Sequence, residues 1–333
     1  MRIAIVGAGS WGTALSIIAA HKGHTVRLWA RRAELAERLN LERENGDYLP
    51  QQKLPEEVQA TASLAEATRG AEIVLYASPS HAAREILRAL HGHLAREALF
   101  VSAAKGIEAE TGKRISEIFA EELSEMAVER FVALSGPSFA REVLAGYPTA
   151  IVAASRAIEN ARLVQTALSH ANLRLYANDD LIGTEMGGAV KNVIALAAGM
   201  VVGLGLGTNS LAALITRGLA EMTRLTVAVG GRAETMLGLA GVGDLVLTCT
   251  GELSRNRYVG RELGRGRKLE DVMCGMHEVA EGIRTARAVR LLAERYAVRM
   301  PITEAVHAVI YEGKNVRAAV DDLMARPLRD EFD

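Results

Sequence analysis

Among the residues of this sequence that could take part in chemistry, one lysine is notable because its neighbours in the chain are apolar. Only seven of the 39 basic residues are lysines, and Lys191 lies in the apolar, glycine-rich stretch Gly187-Gly188-Ala189-Val190-Lys191-Asn192. A buried ammonium group is costly unless it is paired, and desolvation lowers its pKa towards the range useful for proton transfer. We therefore predict that Lys191 is a general acid and base. The alternative is a structural lysine that buries its stem and exposes its charge.

Two further segments combine small residues with isolated polar groups. Asp244 lies in the glycine-rich segment 241–245 and could hold and orient a lysine ammonium. Residues 254–257 read Ser-Arg-Asn-Arg, and the side chains of Arg255 and Asn256 carry the planar and amide donors that a phosphate accepts. Taken singly, each could be an ordinary surface residue, so the prediction depends on the set. We expect residues 238–251, which carry four glycines, to form a loop region.

Lys105 and Ser138 each follow a predicted strand. The carboxyl ends of parallel strands face the ligand crevice, so Lys105 is placed to reach a phosphate or carbonyl oxygen. Ser138 belongs to the segment Ser135-Gly136-Pro137-Ser138 and is suited to cap the helix that follows. The alternatives are a solvated loop cation at Lys105 and a purely capping role at Ser138.

A glycine fingerprint near the start of the chain predicts a dinucleotide site. Residues 7–12 read Gly-Ala-Gly-Ser-Trp-Gly, where Gly7, Gly9 and Gly12 permit a tight turn that brings a pyrophosphate to a helix N-terminus. An acid usually ends the second strand of an NAD-selective site, but here that strand is followed by Arg31 and Arg32. Two guanidinium groups suit a 2′-phosphate, so we expect NADPH in preference to NADH. The alternative is that both arginines merely begin the surface of the next helix.

The elements that must position these residues change character along the chain. Short apolar runs first alternate with amphipathic helical stretches, which predicts a parallel sheet. The predicted strands cover residues 3–6, 25–29, 72–76, 98–102, 131–135, 149–154 and 173–177. Beyond about residue 180, long helical apolar stretches predominate. We predict an α/β protein, with a Rossmann-type doubly wound sheet in a dinucleotide-binding domain (1–180) and a mostly α-helical substrate and catalytic domain (181–333).

Composition excludes several other function classes. A net charge of −1 without a basic stripe argues against nucleic acid as a partner. Two cysteines without C-x-x-C spacing fit a reducing compartment, and neither they nor the eight histidines have metal-ligand spacing, so we predict no metal. The apolar N-terminus resembles a secretory signal only superficially, and the run 193–207 is too short and glycine-rich to span a bilayer. We expect a soluble, cytoplasmic protein.

The glycine fingerprint and the polar segments described above, taken in their order along the chain, closely resemble the bacterial NAD(P)-dependent sn-glycerol-3-phosphate dehydrogenase family. The resemblance covers roughly residues 1–325. The most specific segments are 135–140, 187–192, 243–245, 254–257 and 300–304, the last reading Met-Pro-Ile-Thr-Glu. The sequence departs from the family at Ala104, where Thr or Ser is usual, and in residues 76–81, which read Tyr-Ala-Ser-Pro-Ser-His, where a valine pair is usual before Pro-Ser-His. Neither departure removes a residue predicted to take part in the chemistry.

The resemblance implies a role for each of these residues. Lys191 looks like the proton acceptor of the family, with Asp244 orienting it. The implied substrate pocket consists of Lys105, Gly136, Ser138, Lys191, Asp244, Ser254, Arg255 and Asn256. The residues implied around NADPH, besides the three fingerprint glycines, are Ser10, Trp11, Arg31, Arg32, Tyr48, Lys105, Ala140, Arg255, Val279 and Glu281.

The activity that the resemblance implies is reversible hydride transfer between NAD(P)H and dihydroxyacetone phosphate, giving sn-glycerol 3-phosphate for phospholipid synthesis, in a homodimer. Two other interpretations stay open at this point. One is a dehydrogenase of the β-hydroxyacid or 6-phosphogluconate type, whose substrate would need a carboxylate site. The other is an NADPH-binding sensor that has lost catalysis, against which the presence of both Lys191 and Asp244 argues.

Overall fold

The computed structural model describes residues 1–274, 276 and 280–331. Within them, one eight-stranded sheet forms the first half of the chain, and a separate two-stranded ribbon joins β3 to β4. The strands are β1 (Arg2–Val6), β2 (Thr25–Trp29), β3 (Glu44–Asn45), β4 (Leu49–Lys53), β5 (Val58–Thr61), β6 (Ile73–Tyr76), β7 (Leu99–Ser102), β8 (Phe131–Ser135), β9 (Thr149–Ala154) and β10 (Leu173–Asn178).

The large sheet has the strand order β10-β9-β8-β7-β6-β1-β2-β5, which confirms the Rossmann-type prediction. Neighbouring strands are parallel except β8 and β9, which are antiparallel, with Ser135 opposite Val152. The prediction of a parallel sheet is therefore wrong for β9 and β10, which are parallel to each other and run opposite to the other six strands. A helix of five residues, α6 (Ala140–Leu144), lies between β8 and β9. Because it spans only about 8 Å, it cannot return the chain along the sheet as a parallel crossover requires.

Seven helices flank the sheet and nine follow it within the described part of the chain. The former are α1 (Ser10–His21), α2 (Ala33–Glu42), α3 (Leu64–Thr68), α4 (Ala83–Leu90), α5 (Ile115–Glu122), α6 and α7 (Ile158–Leu168). The latter are α8 (Leu181–Gly203), α9 (Thr208–Ala228), α10 (Ala233–Met236), α11 (Asp244–Thr250), α12 (Arg255–Gly264), α13 (Leu269–Cys274), α14 (Glu281–Arg295), α15 (Pro301–Tyr311) and α16 (Val316–Met324).

Helix α8 is the central element of the helical half. Glycine is unfavourable inside a helix, but a Cβ on Gly199 would lie 2.1 Å from the Arg257 carbonyl oxygen, and one on Gly260 would lie 2.0 Å from that of Leu196. The glycines therefore let α8 and α12 cross closely. Among the described residues, α8 alone and the bent pair 233–250 with α12 are long and apolar enough to cross a membrane. Since 89% of the α8 window is buried, α8 has the surroundings of a core helix.

Residues 239–250 are helical, so the prediction of a loop over residues 238–251 is wrong. A π-helical turn, Leu239–Gly243, leads directly into α11. A Cβ on Gly241 would lie 2.1 Å from the Met236 carbonyl oxygen, and one on Gly187 would lie 2.3 Å from that of Ala240. Gly241 is thus required by close packing against Met236, and Gly187 lets α8 pack against Ala240, so these glycines mark close contacts and not a loop.

Candidate active site

Two lysines share one buried carboxylate where the helical half meets the sheet. Lys191 Nζ donates to Asp244 Oδ1 and to Thr248 Oγ1, both at 2.7 Å. Lys105 Nζ donates to Asp244 Oδ2 at 2.7 Å and to the Gly136 carbonyl oxygen at 2.8 Å. The Asp244 side chain is 1% exposed, those of Lys191 and Lys105 only 7% and 16%. Neither lysine is the solvated cation that the alternative interpretations required.

Electrostatics in this cluster favour a titratable lysine. Burial lowers the pKa of Lys191 to about 8, and Asp244 limits that decrease because it stabilises the ammonium form. Burial alone would raise the pKa of Asp244, but the two neighbouring ammonium groups hold it below its usual value. A carboxylate that stays ionised beside an amine of near-neutral pKa is an arrangement suited to proton transfer.

Four elements position the members of the cluster. Lys105 follows β7, at the carboxyl edge of the sheet. Gly136 follows β8 with φ +122°, and a Cβ there would lie 3.0 Å from the Ile151 Cα atom, so the turn needs glycine. Lys191 lies on α8, and Asp244 and Thr248 lie one turn apart on α11.

A chain of side-chain amides supports the same cluster. Asn192 Nδ2 donates to the Lys105 carbonyl oxygen at 2.9 Å, and Asn256 Nδ2 donates to Asn192 Oδ1 at 2.9 Å. The Gly282 backbone N–H donates to Asn256 Oδ1 at 2.9 Å. The amide that we expected to face a phosphate thus also links α12 to α8 and α14. Asn192 and Thr248 are polar neighbours of the cluster that the sequence prediction did not assign. Their signals were adjacency to Lys191 and the one-turn spacing from Asp244.

The remaining residues of the predicted substrate pocket lie at element ends. Ser254 caps α12, where its Oγ accepts from the Arg257 backbone N–H at 3.2 Å, and Arg255 is the first residue of that helix. Ser138 does not cap α6. Its hydroxyl donates to the Gly136 carbonyl oxygen at 3.1 Å, and Phe139 is the N-cap, without a side-chain hydrogen bond. The capping prediction for Ser138 is wrong because α6 begins one residue later than a Ser138 cap requires, and the hydroxyl bonds back to Gly136.

The fingerprint glycines have separate roles. A Cβ on Gly7 would lie 2.8 Å from the Ser78 backbone nitrogen, and one on Gly12 would lie 1.9 Å from the Gly7 carbonyl oxygen, whereas nothing lies within 4 Å of one on Gly9. Gly9 is also the N-cap of α1 and makes no side-chain cap. Open space in front of an uncapped helix N-terminus fits a dinucleotide pyrophosphate.

The other residues predicted around the cofactor lie at several places. Ser10 Oγ donates to the Tyr48 carbonyl oxygen at 2.9 Å, and Trp11 is half-buried against the core of the sheet. Ala140 is the half-buried first residue of α6. The Glu281 Oε1 atom accepts from the Ser80 backbone N–H at 2.8 Å. Val279 lies outside the described residues.

The two arginines after β2 are both exposed. Arg32 contacts Asp47 at 3.3 Å, and Arg38 contacts the same carboxylate at 2.7 Å. An acid is therefore near Arg32, although the second strand itself does not end in one. It comes from the turn of the β3–β4 ribbon, which sequence spacing alone did not connect to this site.

No group of three potential metal ligands occurs in the described ranges. Cys249 is buried and Cys274 exposed, both as free thiols. Burial raises the pKa of Cys249 to about 12, so this thiol stays protonated and is a poor nucleophile.

Comparisons with known proteins agree over the whole chain. The family models for the N-terminus and C-terminus of NAD-dependent glycerol-3-phosphate dehydrogenase match residues 2–161 and 180–321. The chain is 52% identical over 328 residues to glycerol-3-phosphate dehydrogenase [NAD(P)+] of Koribacter versatilis, covering 98% of this chain and 97% of the relative. It is 50% identical over 333 residues to that of Syntrophotalea carbinolica, covering all of both.

A crystal structure of glycerol-3-phosphate dehydrogenase from Coxiella burnetii is also similar. It superposes with a TM-score of 0.93 at 39% identity, covering 98% of this chain and 99% of that one. These matches confirm the resemblance noted in the sequence. The chain belongs to the NAD-dependent glycerol-3-phosphate dehydrogenase family and is an NAD(P)-dependent oxidoreductase.

Proposed function

We propose that this protein reversibly reduces dihydroxyacetone phosphate to sn-glycerol 3-phosphate, with Lys191 as the general acid and base. The observation that carries the proposal is the buried Asp244 carboxylate shared by Lys191 and Lys105 at 2.7 Å each. When bound, the nicotinamide supplies the hydride that the carbonyl carbon accepts. The Lys191 ammonium donates its proton to the carbonyl oxygen in the reductive direction, and the neutral amine removes the alcohol proton in the oxidative direction.

Asp244 and Lys105 make this proton transfer possible in our proposal. Asp244 stabilises the ammonium form of Lys191, which burial alone would disfavour, and it fixes the direction of Nζ. Lys105 carries a second positive charge beside the carboxylate and is suited to stabilise negative charge on the reacting oxygen. The Thr248 hydroxyl, which accepts from Lys191, narrows the orientations of the ammonium further.

The phosphate of the substrate would be bound at the start of α12 by Arg255 and Asn256. A guanidinium group gives charge-assisted hydrogen bonds there, and the helix N-terminus favours an anion. Binding energy from this remote group can hold the carbonyl carbon in a reactive position. The proposed substrate pocket is completed by Gly136, Ser138 and Ser254.

The cofactor site is proposed to extend from the fingerprint glycines to the arginines after β2. The open position of Gly9 supports pyrophosphate binding, and Arg31 with Arg32 supports a preference for NADPH over NADH. The further residues proposed around the cofactor are Ser10, Trp11, Tyr48, Lys105, Ala140, Arg255, Val279 and Glu281. We place the boundary between cofactor and substrate domains at residues 180 and 181.

The product would supply the glycerol phosphate backbone of phospholipids. We propose a cytoplasmic homodimer without a nucleic-acid partner, in accord with the near-neutral charge. Light scattering of the purified protein tests the oligomeric state, since a single species of monomer mass contradicts a dimer.

Steady-state assays with dihydroxyacetone phosphate and short oxo acids, each with NADPH and NADH, test the activity. We expect turnover of the phosphorylated ketone. Activity confined to the oxo acids would instead support a β-hydroxyacid type of dehydrogenase. Cofactor binding without turnover of any of these substrates would support the sensor interpretation.

A further inference from the structure

The loop that follows β6 is fixed at two points, by the hydroxyl of Tyr76, which has no part in the proposed chemistry, and by Glu281, one of the residues proposed around the cofactor. Tyr76, the last residue of β6, is fully buried, and its hydroxyl donates to the Pro79 carbonyl oxygen at 2.7 Å. Ser80, the residue after Pro79, donates its backbone N–H to Glu281 Oε1 at 2.8 Å. The loop thereby joins the sheet to the first residue of α14, 201 positions further along the chain.

The ring of Tyr76 is anchored independently of its hydroxyl. It stacks on Phe100 with ring centroids 6.2 Å apart, and Phe100 packs against Phe119 and Phe131 at 5.2 and 5.9 Å. Burial raises the pKa of the Tyr76 phenol well above its ordinary value, so the hydroxyl stays a donor. A rigid ring with a permanent donor can hold the carbonyl of Pro79 at a fixed place.

This loop contacts the backbone that carries Lys105. A Cβ on Gly106 would lie 2.2 Å from Ser80 Oγ, so the turn after β7 is seated directly against Ser80. The position of Ser80 therefore limits where Lys105 can lie.

A second connection reaches Lys105 from α14. Glu281 is followed by Gly282, whose N–H donates to Asn256. Asn256 in turn donates to Asn192, and Asn192 donates to the Lys105 carbonyl oxygen. Together with Ser80 these residues form a closed frame around the start of α14, and Tyr76 fixes that frame to the sheet.

We propose that Tyr76 is a positioning residue for the dehydrogenase reaction, acting through Pro79, Ser80 and Glu281 on the frame that holds Lys105 beside Asp244. This inference rests on the proposed function, because Lys105 and Asp244 are members of the proposed site. A misplacement of about 1 Å can lower the rate of an oriented reaction roughly 100-fold. Loss of the Tyr76 hydroxyl is therefore expected to slow turnover although no reacting group is removed.

Tyr76→Phe tests the proposal because it deletes the hydroxyl and keeps the ring. We expect kcat for dihydroxyacetone phosphate to fall about 10-fold, with KM changing much less and the pH profile keeping its midpoint. Amide exchange in residues 77–83 and 280–284 should become faster.

The matched control is Thr68→Val in α3. This substitution removes another hydrogen bond donated by a hydroxyl group, from Thr68 Oγ1 to the Leu64 carbonyl oxygen at 2.9 Å. This control should lower Tm and keep the wild-type kcat. If Tyr76→Phe also keeps the wild-type kcat, its hydroxyl serves stability alone and the proposal is overturned.

Ser80→Pro provides a second variant that leaves the aromatic core untouched and decides the matter if Tyr76→Phe does not fold. This substitution deletes the backbone N–H from which Glu281 Oε1 accepts a hydrogen bond. Pro79 already has φ −57° and ψ 146°, which a following proline tolerates, and Ser80 begins a short helical turn, where proline fits. We expect a similar loss of kcat, and no further loss in the double variant. Wild-type kcat in Ser80→Pro, or fully additive losses, would contradict the proposed path.

Lys191→Ala, measured in parallel, separates this inference from the proposed function. If Lys191→Ala keeps its turnover, the proposed chemistry itself is wrong. If it loses turnover while the Tyr76 and Ser80 variants equal the wild type, the chemistry stands and only the positioning role of Tyr76 is wrong.

Discussion

Asp244 Oδ1 lies 2.7 Å from Lys191 Nζ, and both side chains are almost completely buried. The other oxygen of the same carboxylate, Asp244 Oδ2, lies 2.7 Å from Lys105 Nζ. One negative charge is thus shared by two ammonium groups in a desolvated site, which is costly to build. Loss of any one of the three charges should therefore change both the catalytic rate and the stability of the fold.

Removal of the proposed proton donor should nearly abolish turnover. General acid and base catalysis contributes roughly 10²- to 10⁴-fold, so we expect Lys191→Ala to lower kcat within that range and to change cofactor affinity little. Stopped-flow measurement of NADPH oxidation checks this. Lys22→Ala, at an exposed position, is the control that should keep the wild-type rate, and comparable rates in the two variants would exclude Lys191 as the acid.

Activity should depend on pH in opposite ways for the two directions. Reduction needs the ammonium form of Lys191, whose pKa burial lowers to about 8, so kcat/KM for ketone reduction should fall as pH rises through about 8. Oxidation needs the neutral amine and should rise over the same interval. Initial rates in both directions between roughly pH 6 and 10 give the two curves. A reduction rate that stays flat across this interval would contradict the assignment.

Asp244→Asn should disturb both lysines at once. The two ammonium groups lose their shared counter-charge, so the pKa of Lys191 should fall further and the descending limb of the reduction profile should move to lower pH. Breaking a buried ion pair costs about 3–5 kcal/mol, which urea denaturation measures as a lower free energy of unfolding. Asp322→Asn removes an exposed acid that pairs with Lys314, and this control should change stability by less than about 1 kcal/mol. An unchanged pH midpoint in Asp244→Asn would argue against the proposed tuning.

The arginines after β2 should distinguish the two cofactors. Hydrogen bonds to charged groups contribute about 1.5–3 kcal/mol, so Arg31→Ala with Arg32→Ala should raise the Kd of NADPH roughly 10- to 100-fold and leave that of NADH nearly unchanged. Fluorescence titration measures both constants. Arg38→Ala is a matched control, because Arg38 contacts the same Asp47 at 2.7 Å but lies further along α2. Equal weakening of both cofactors by the double variant would rule out 2′-phosphate recognition.

A buried glutamate away from the proposed active site should make stability depend on pH. Glu221 accepts from the backbone N–H groups of Ile302 and Thr303 at 2.7 and 3.2 Å, and burial raises its pKa to about 7. The Glu221 carboxyl therefore keeps its proton in the folded state at pH values where the unfolded chain, with the ordinary pKa of 4.5, has released it. This group's contribution to stability should decrease by about 3 kcal/mol as pH rises from about 4.5 to 7.

Glu221→Gln isolates this contribution, because glutamine keeps an acceptor for α15 and does not titrate. The difference in unfolding free energy between wild type and variant, measured in urea at several pH values, should change in favour of the variant as pH rises. A difference that is constant from pH to pH would show that Glu221 does not titrate in this interval.

Much of this protein could be predicted from the sequence because the signals are local. The fingerprint of Gly7, Gly9 and Gly12 depends on a strand, a turn and a helix that are contiguous in the chain. The alternating runs of the sheet, and the lone lysine in the apolar stretch around Lys191, can likewise be recognised within short windows. Such patterns express backbone freedom, hydrophobic periodicity and the cost of burying charge, and none of these needs knowledge of distant residues.

The tertiary structure decided what those residues contact. Lys105 and Asp244 are 139 positions apart, so no spacing rule could show that they share a bond, or that Lys191 takes the other oxygen of the same carboxylate. The helical form of residues 239–250 is also set by packing, with Ala240 directly against Gly187 of α8. In each case local propensity allowed several conformations, and contacts with elements remote in sequence selected one of them.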